Sequence, residues 1–475
     1  MTYQIYIEEV LEFLENDKDT LYSCLFVNYF FCEVTVKVLW RNIWKFKLQS
    51  DASLQILNTL IACLPNTSKC LLYSKGIIIP TPTSKSPLFD YVSFCKSLSI
   101  GEISVIIISY FKNQQQSKTS EESKGMKKSI KLVIKEILKM YMNKINNLKR
   151  LDYILKVDTK IPYNIRFINF PRARDCLKNL TKLSCASGIE SKFFHLLSTV
   201  CHNIQSLHIF YRGDQIRSEY ELMKLIYSQN CLKKLKINCN GTYCWKGLIP
   251  SLKKHYNTLT KFYLSDGIYD GRPLFFITEL INLQELFLLS SNYYELEYAI
   301  LPKLRVLRIY GESFNSLNIF LENNGKNLEC LECYLCKYIE TDTSLNLAIA
   351  KFCLKLKYLY TKIGKVETLK EILNNCKQLE KLKVKLYTHT KVSDALEIIS
   401  KFSPKNFHEL HIEDVKMFKS KELESFFIIW KDRVPFRSIT FTIGGIMVKN
   451  ENMKVMKVIE KYKKLGIIKK FELIK

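Results

Sequence analysis

The stretch LQELFL, residues 283–288, places leucine at positions 283, 286 and 288. Two other stretches repeat this spacing of three apolar residues: Leu232, Leu235 and Ile237, and Leu304, Leu307 and Ile309. In an extended strand, the second and third apolar residues are two apart and therefore point to the same side. A short strand that returns at a fixed period predicts a solenoid, in which each unit buries its apolar face against its neighbours.

The first apolar residue of each copy serves as an anchor for counting the repeats, and twelve anchors recur about every 26 residues. They are Leu148, Leu180, Ile204, Leu232, Leu259, Leu283, Leu304, Leu328, Leu356, Leu379, Phe407 and Phe436. Several gaps between anchors carry helical spacing, as in Ser393 to Phe402, although the step from Leu283 to Leu304 has room only for a turn or a reduced helix. The pattern resembles the leucine-rich repeat. We predict an α/β solenoid over residues 148–475, a horseshoe with parallel strands inside and helices outside, closed by a last helix from Met453 to Lys464.

Residues between the core positions of each strand face outward on the predicted concave side. Five aromatic residues and one arginine fall at these positions: Tyr263, Phe287, Arg308, Tyr310, Tyr334 and Tyr360. Aromatic side chains and arginine are typical anchors of protein interfaces. The alternative explanation is the general preference of strands for aromatic residues. These six residues are our predicted binding site for a protein target whose identity the sequence does not give.

Residues 1–46 predict a small module of two or three short helices. Ile7, Val10, Leu11 and Leu14 share one helical face. A module of this size cannot bury all its apolar side chains by itself, so a partner is expected. The alternative is that these residues form an internal core. Residues 47–147 predict a connecting region of helices and loops, with a polar, low-complexity, mobile insertion near 112–128.

The segment DKDTLYSCLFVN, residues 17–28, followed by FCEVTVKVLWRNIW, residues 31–44, resembles the F-box. In particular it is similar to the F-box-like domain of a large, expanded fungal family with a leucine-rich-repeat body, and PLFDYVSFCKSLSI, residues 87–100, fits the same family. The resemblance implies a helical module that docks on a Skp-type adaptor and, through it, on a cullin-based ubiquitin ligase. It also implies that Ile7, Val10, Leu11 and Leu14 form part of the adaptor contact. Trp40 and Trp44 would pack the module against the repeats.

Composition places limits on the class of protein. The chain has 475 residues, of which 47% are hydrophobic, and Lys plus Arg outnumber Asp plus Glu by 72 to 46, a formal charge of +26. Such a charge permits contact with nucleic acid or acidic proteins, but the lysines are dispersed along the sequence, as on ordinary solvated surfaces. The sixteen cysteines are scattered through apolar stretches, and no secretory signal or membrane-spanning run is evident. We expect a cytoplasmic or nuclear protein with reduced cysteines and no membrane partner.

No motif indicates catalysis, so we expect neither an enzyme nor a bound cofactor. The sequence has no nucleophile elbow, no P-loop and no dinucleotide-binding glycine motif. Cys330, Cys333 and Cys336 have the spacing of metal ligands. Leu328, Leu331 and Cys333 also occupy the three apolar positions of a repeat, which favours a buried core cysteine over a metal site. We therefore predict no catalytic residues and no metal ligands.

Two classes of function remain after these exclusions. The first is a substrate-recognition subunit of a cullin-based (SCF-type) ubiquitin ligase, with the adaptor on the amino-terminal module and the target on the repeats. The alternative is a repeat scaffold, or a basic binder of nucleic acid or acidic proteins, with no ligase role. Lys381, Lys383 and Lys385 on one strand motivate the basic binder, but nucleic acid is not the expected partner.

Overall fold

The computed structural model describes most of the chain. The described residues are 2–45, 50–81, 86–114, 120–154, 165–211, 219–239, 245–266, 274–289, 294–311, 317–335, 342–387, 389–413, 419–444 and 449–474. The chain divides into two compact units, one of residues 1–232 and 246–252, the other of residues 233–245 and 253–475.

The first unit begins with three helices: α1 (Thr2–Phe13), α2 (Lys18–Cys24) and α3 (Tyr29–Arg41). Polar side chains fix where the second and third helices start, because each accepts a hydrogen bond from an otherwise unpaired amide of the first turn. Asp17 accepts from the amide of Thr20 at 3.1 Å, and Asn28 accepts from the amide of Phe31 at 2.9 Å. Three helices are thus present where the sequence predicted two or three, and Asp17 is the cap of α2.

Four further helices and one short strand follow: α4 (Ser50–Ala62), α5 (Asn66–Ser74), β1 (Ser97–Ser99), α6 (Ile100–Asn113) and α7 (Ser120–Lys144). The predicted mobile insertion near 112–128 is helical from Ser120 onward, while 115–119 lie outside the described residues. Its low hydrophobicity was the reason to predict disorder. The lysines and methionine of this stretch are strong helix formers, however, and the helix continues into a buried face from Ile130 onward.

Glycine at position 101 lets the first turn of α6 approach the chain that follows the next strand. A Cβ atom there would overlap the carbonyl oxygen of Ile154 and come within 3.3 Å of its carbonyl carbon. We expect Gly101→Ala to lower the free energy of unfolding by about 2 kcal/mol, because backbone must move to make room. Gly125→Ala is the matched control, since nothing lies within 4 Å of that position in the exposed part of α7. Denaturant titration of both variants measures the difference, and equal stability would contradict this packing.

The repeats of the first unit then begin. Its strands after β1 are β2 (Arg150–Tyr153), β3 (Lys182–Ala186) and β4 (Ser206–Tyr211), and its helices are α8 (Ala173–Leu177), α9 (Ser191–Val200), α10 (Glu219–Tyr227) and α11 (Trp245–Leu252). The four strands pair in parallel in sequence order, with Leu98, Leu151, Leu183 and Leu207 in register. Strand β1 was not predicted, since its SLS sequence carries no anchor.

The second unit continues the same alternation of strand and helix. Its strands are β5 (Lys234–Cys239), β6 (Lys261–Asp266), β7 (Glu285–Leu289), β8 (Val306–Gly311), β9 (Cys330–Leu335), β10 (Tyr358–Ile363), β11 (Lys381–Leu386), β12 (Glu409–Glu413), β13 (Ile439–Gly444) and β14 (Ile468–Ile474). Its helices are α12 (Leu317–Asn324), α13 (Asp342–Phe352), α14 (Val366–Asn375), α15 (Val392–Phe402), α16 (Ser420–Lys431) and α17 (Lys449–Lys464). Consecutive strands from β5 to β14 pair in parallel.

The α/β repeat architecture predicted from the leucine spacing is confirmed. Eleven of the twelve anchors are at most 1% exposed. Short 3-10 turns replace full helices on both sides of β7, at Phe275–Glu279 and Tyr294–Tyr298. The second turn lies in the step from Leu283 to Leu304, where the sequence predicted a turn or a reduced helix. The structure adds strand β14 after the helix that was predicted to close the array.

The twelfth anchor is wrong, because Phe436 is 47% exposed. The indole of Trp430, only 1% exposed, packs on Phe407 in this part of the core with ring centroids 6.0 Å apart. Its Nε1 donates to the carbonyl oxygen of Arg437 at 2.9 Å, which fixes the chain just before β13. An aromatic side chain from the preceding helix thus packs where the repeat pattern predicted Phe436.

Buried amide side chains join neighbouring repeats at positions that the sequence did not single out. Gln229 accepts from the amide of Ile204 at 2.9 Å and donates to the carbonyl of Cys201 at 2.8 Å. Asn324 makes the same two kinds of bond to the repeat before it: it accepts from the amide of Leu301 at 2.6 Å and donates to the carbonyl of Ala299 at 2.8 Å. Each amide satisfies backbone groups that cannot reach water.

Candidate protein-interaction surfaces

The six predicted target-binding residues lie on the outward face of five consecutive strands, β6 to β10. Tyr263, Phe287, Arg308, Glu332 and Tyr360 are in register across these strands. One step further along the strands, Leu289, Tyr310 and Tyr334 are also in register. The residues between them, such as Phe262 and Leu286, are buried. Because successive side chains of a strand point to opposite faces, all six residues come together on one face, as the spacing of the apolar residues predicted.

The aromatic members of this set form one continuous series of ring contacts, which we call the aromatic row: Tyr263, Phe287, Tyr310, Tyr334 and Tyr360. Successive ring centroids are 6.2, 5.6, 3.8 and 4.1 Å apart, and the rings of Tyr310 and Tyr334 are nearly parallel, at 8°. Each such pair contributes about 0.5–1.5 kcal/mol beyond its buried area. The row is therefore a rigid feature of the sheet.

Three glutamates hold the hydroxyl groups of the row, and sequence reasoning missed all three. Glu285 accepts from Tyr263 and from Lys261, the latter at 2.5 Å. Glu332 accepts from Tyr334 at 3.0 Å and from Arg308 at 2.8 Å. A recurring glutamate at outward strand positions was the available signal: spacing along β9 places Glu332 beside Tyr334, but only the register shows which tyrosines Glu285 and Glu413 meet.

The third glutamate, Glu413, lies at the far end of the row on β12. It accepts from the hydroxyl of Tyr360 at 2.8 Å and from the ammonium of Lys383 at 2.7 Å. That ammonium also lies 4.9 Å from the ring centroid of Tyr360, and the ammonium of Lys234 lies 4.8 Å from the ring of Tyr263 at the other end. Cations on ring faces add to the stability of the row.

Burial and hydrogen bonds shift the pKa values of two tyrosines and one glutamate of this surface. Burial and the hydrogen bond to Glu285 raise the pKa of Tyr263, and burial together with a hydrogen bond between Tyr334 and Tyr310 raises the pKa of Tyr334. Burial also favours a higher pKa for Glu413, but the hydrogen bonds from Lys383 and Tyr360 outweigh it and hold the pKa of Glu413 below its usual value.

This lowered pKa predicts an acid dependence of stability. A carboxyl group whose pKa is lower in the folded state stabilises the fold at neutral pH, and the contribution is lost as the pH falls through the folded pKa. We expect Glu413→Gln to lower the free energy of unfolding at pH 7 by about 1 kcal/mol, because the pair is partly exposed. The difference from wild type should shrink as the pH falls through the lowered pKa of Glu413. Denaturant titrations at pH 7 and at a series of acidic pH values measure it, with the exposed Glu397→Gln as control, and a difference that does not change with pH would contradict the assignment.

Exposure separates the residues of the row that support it from those that a partner can reach. Tyr360 is only 3% exposed, and Glu332 only 9%, so both act mainly as supports. Phe287 and Tyr310 are half-buried and lie next to the half-buried Leu289. These three side chains, together with the half-buried Tyr263 and Tyr334, form the accessible part of the surface.

The lysines on β11 that motivated a basic binding site are largely neutralised. Lys381 pairs with Glu409 at 2.7 Å, and Lys383 pairs with Glu413 at 2.7 Å. Two of the three charges are therefore balanced on the same face.

The cysteines do not form a site among the described residues. Cys333 is 1% exposed in the core, while Cys330 lies on the opposite, outward side of β9, and Cys336 lies outside the described residues. Burial, with the nearby charge of Glu332, raises the pKa of Cys330 to about 11, which favours the protonated thiol over a metal-binding thiolate. In the part of the chain that the structure describes, no group of three His, Cys, Asp or Glu side chains is placed to hold a metal.

A second surface lies on the amino-terminal helices. The module has its own small core of Leu11, Leu21, Val34 and Val38, against which Ile7 and Leu14 pack. Of the four predicted adaptor-binding residues, only Val10 is exposed, at 58%, and Leu11 is 2% exposed. Leu11, Ile7 and Leu14 therefore fit the alternative interpretation, in which these residues form an internal core of the module.

The exposed face of α1 carries a different set, Tyr6, Val10 and Phe13, which we call the apolar stripe. They are 64%, 58% and 89% exposed and lie at i, i+4 and i+7, so they share one side of the helix. The α2–α3 region exposes four more large apolar side chains: Tyr22, Phe26, Val27 and Tyr29. Exposed apolar residues that cluster in this way indicate an interaction site rather than chance exposure.

The two tryptophans anchor the module within the first unit. Trp40 is buried, with its ring centroid 4.8 Å from that of Tyr91. The indole Nε1 of Trp44 donates to the carbonyl of Ser97, in β1, at 3.1 Å. The module is thus attached to the first strand of the sheet, which lies in the predicted connecting region 47–147, whereas the sequence placed these tryptophans against the repeats over 148–475.

Comparisons with known proteins give little further guidance. No protein-family model matches the chain, and no curated protein sequence matches it. One solved structure to which it is similar is the complex of Rad7 and Elc1 in yeast, at 12% sequence identity and a TM-score of 0.37. That likeness covers 74% of this chain and 90% of the other. A TM-score below 0.5 does not establish a common fold. Among the described residues, no helix is long and apolar enough to cross a bilayer.

Proposed function

We propose that the protein is the substrate-recognition subunit of a cullin-based (SCF-type) ubiquitin ligase. The amino-terminal helices bind a Skp-type adaptor, and the outward face of the repeats binds a protein target. The chain performs no catalysis itself and uses no cofactor. It acts in the cytoplasm or nucleus by holding the target near the ubiquitin-loaded enzyme, so the rate gain comes from proximity.

The observation that carries this proposal is the apolar stripe of α1. Fully burying each large apolar side chain of this kind is worth about 1.5–3 kcal/mol. A helix that already buries Leu11 on one side and exposes Phe13 at 89% on another has a second apolar side available to a partner. The F-box resemblance of residues 17–44 supports a Skp-type adaptor as that partner.

The aromatic row supports the second half of the proposal. Glu285, Glu332 and Glu413 hold the hydroxyl groups of Tyr263, Tyr334 and Tyr360, and ring contacts join Phe287 and Tyr310 to these residues, so little side-chain entropy is lost when a target binds. The accessible residues Phe287 and Tyr310 are of the types that dominate binding energy at protein interfaces.

Mixing the purified full-length chain with a purified Skp-type adaptor tests the proposal. We expect a 1:1 complex by size-exclusion chromatography with light scattering, and a micromolar or tighter Kd by calorimetry. Absence of a complex at 50 µM of each protein, on the order of the weakest useful affinity, would overturn the ligase assignment. A dimer of the chain alone, lost in Phe13→Asp, would assign the apolar stripe to self-association and also overturn it.

A further inference from the structure

Helix α7 exposes a line of lysines with almost nothing else between them. From residue 124 to 139 every exposed residue except Gly125 is a lysine. We call this set the lysine ridge: Lys124, Lys127, Lys128, Lys131, Lys135 and Lys139. These lysines are dispersed in sequence, which is why composition alone suggested an ordinary solvated surface. The helical period of 3.6 residues brings them to one side, over about 22 Å of helix.

Among the side chains that the structure describes, acidic groups balance little of the charge of the ridge. Among the described residues, the ridge has one ion pair, between Lys139 and Glu136, at 4.0 Å. Glu136 is buried and also accepts from Ser68 at 2.6 Å, so its carboxylate faces the protein interior. The other five lysines have no carboxylate partner in the part of the chain that the structure describes. This differs from β11, where Lys381 and Lys383 are paired.

The ridge also carries an energetic cost. Lys124 and Lys128, Lys127 and Lys131, Lys131 and Lys135, and Lys135 and Lys139 are like charges at i and i+4, each pair destabilising a helix by about 0.2–0.5 kcal/mol. The helix forms because its other side is buried, with Val133, Ile134 and Ile137 fully inaccessible. A polyanion along the ridge would relieve this repulsion.

We propose that the lysine ridge binds the phosphate backbone of double-stranded nucleic acid, without sequence preference. A duplex carries one phosphate per about 1.7 Å of its axis, so a rigid line of flexible ammonium groups meets several phosphates at once. Lysine supplies a point charge without the fixed geometry of arginine, which suits contacts that position but do not specify sequence.

Other partners fit the ridge less well. A protein interface needs aromatic, apolar or arginine anchors, and lysine is depleted from interface cores. Single-stranded nucleic acid is bound by stacking on aromatic side chains, and none lies among the exposed residues of the ridge. A helix that inserts at a membrane surface needs a free apolar side, whereas that side of α7 is buried in the protein.

Fluorescence anisotropy of a labelled 24-base-pair duplex of random sequence, with the full-length chain, tests the proposal. We expect binding that weakens steeply with salt. Replacing Lys124, Lys127, Lys128, Lys131 and Lys135 with glutamine should reduce the slope of log K against log salt by about 0.9 for each phosphate that the variant no longer neutralises. The same five positions changed to arginine should retain binding.

The matched control removes five exposed lysines elsewhere: Lys405, Lys457, Lys463, Lys464 and Lys469. It has the same net charge as the glutamine variant of the ridge, so equal weakening of binding in both variants would overturn the proposal. No binding of wild type in 50 mM salt, or full retention of binding in the ridge variant, would do the same. Stronger ridge-dependent binding to single strands or to phosphatidylserine vesicles would overturn the assignment to a duplex. Thermal melting provides a second measurement, since the duplex should raise the Tm of wild type more than that of the ridge variant.

Discussion

Replacing both Val10 and Phe13 with aspartate is expected to weaken binding of the Skp-type adaptor at least about 100-fold. Each substitution removes the burial of a large apolar side chain, worth about 1.5–3 kcal/mol. It also brings a carboxylate into a contact that would have to desolvate it. A loss of about 3 kcal/mol in total corresponds to that factor in Kd. Isothermal titration calorimetry with the full-length chain measures it directly.

The control for this prediction is Tyr73→Asp combined with Tyr220→Asp. These side chains are 74% and 77% exposed in the same compact unit, so the change in charge and hydrophobicity is similar. We expect the control to bind the adaptor as wild type does. Equal weakening in both double variants would show a general effect of surface charge, and unchanged binding in the first would remove the apolar stripe from the contact. Since Val10 and Phe13 are exposed, both variants should keep the wild-type Tm.

Replacing Phe287 and Tyr310 with alanine is expected to remove target binding while leaving the adaptor bound. Truncation of interface anchors of this kind costs at least about 2 kcal/mol each, so the pair should reduce retention of a target by more than 100-fold. The measurement is quantitative mass spectrometry of proteins captured by the full-length chain in the presence of a proteasome inhibitor. Proteins that depend on the aromatic row should disappear, and the adaptor should remain at its wild-type level.

Phe275→Ala combined with Tyr298→Ala is the matched control for the aromatic row. These aromatic side chains are 57% and 66% exposed and lie in the connecting turns around β7, off the outward strand face. Loss of the same proteins from the control would contradict a specific role of the row. Loss of the adaptor from the Phe287 and Tyr310 variant would contradict the separation of the two surfaces.

The repeat architecture follows from the sequence because apolar spacing determines which residues of each strand point inward. Once Leu283, Leu286 and Leu288 were placed inward, Phe287 had to face outward, and the structure confirms this. The same reasoning failed at Phe436, because Trp430 comes from a preceding helix and spacing along one strand does not reveal side chains from elsewhere.

The amino-terminal module shows where helical spacing is ambiguous. Ile7, Leu11 and Leu14 have the same i, i+4, i+7 spacing as Tyr6, Val10 and Phe13, displaced by one residue, or about 100° around the helix. Only the packing against α2 and α3 determines which set is buried, and that information is not local to α1. Three of the four residues that the sequence assigned to the adaptor contact are therefore ones that the structure places inward.

The carboxylates of the aromatic row were missed for a related reason. Glu285 lies 22 residues from Tyr263, and Glu413 lies 53 residues from Tyr360. Such pairs depend on the register of neighbouring strands, which the period of about 26 residues gives only approximately. Lysines at helical spacing on α7 were visible in the sequence, but the mobile insertion predicted near 112–128 separated Lys124, Lys127 and Lys128 from the lysines that follow.

Parallel capture with three forms of the full-length chain tests the central claim most directly. Wild type, the Val10 and Phe13 variant, and the Phe287 and Tyr310 variant are each used under proteasome inhibition, and adaptor and targets are quantified together. We predict that wild type retains both, that the first variant retains the targets and loses the adaptor, and that the second retains the adaptor and loses the targets. Absence of the adaptor from wild type, or loss of both partners in either variant whose Tm is unchanged, would contradict a bridging role.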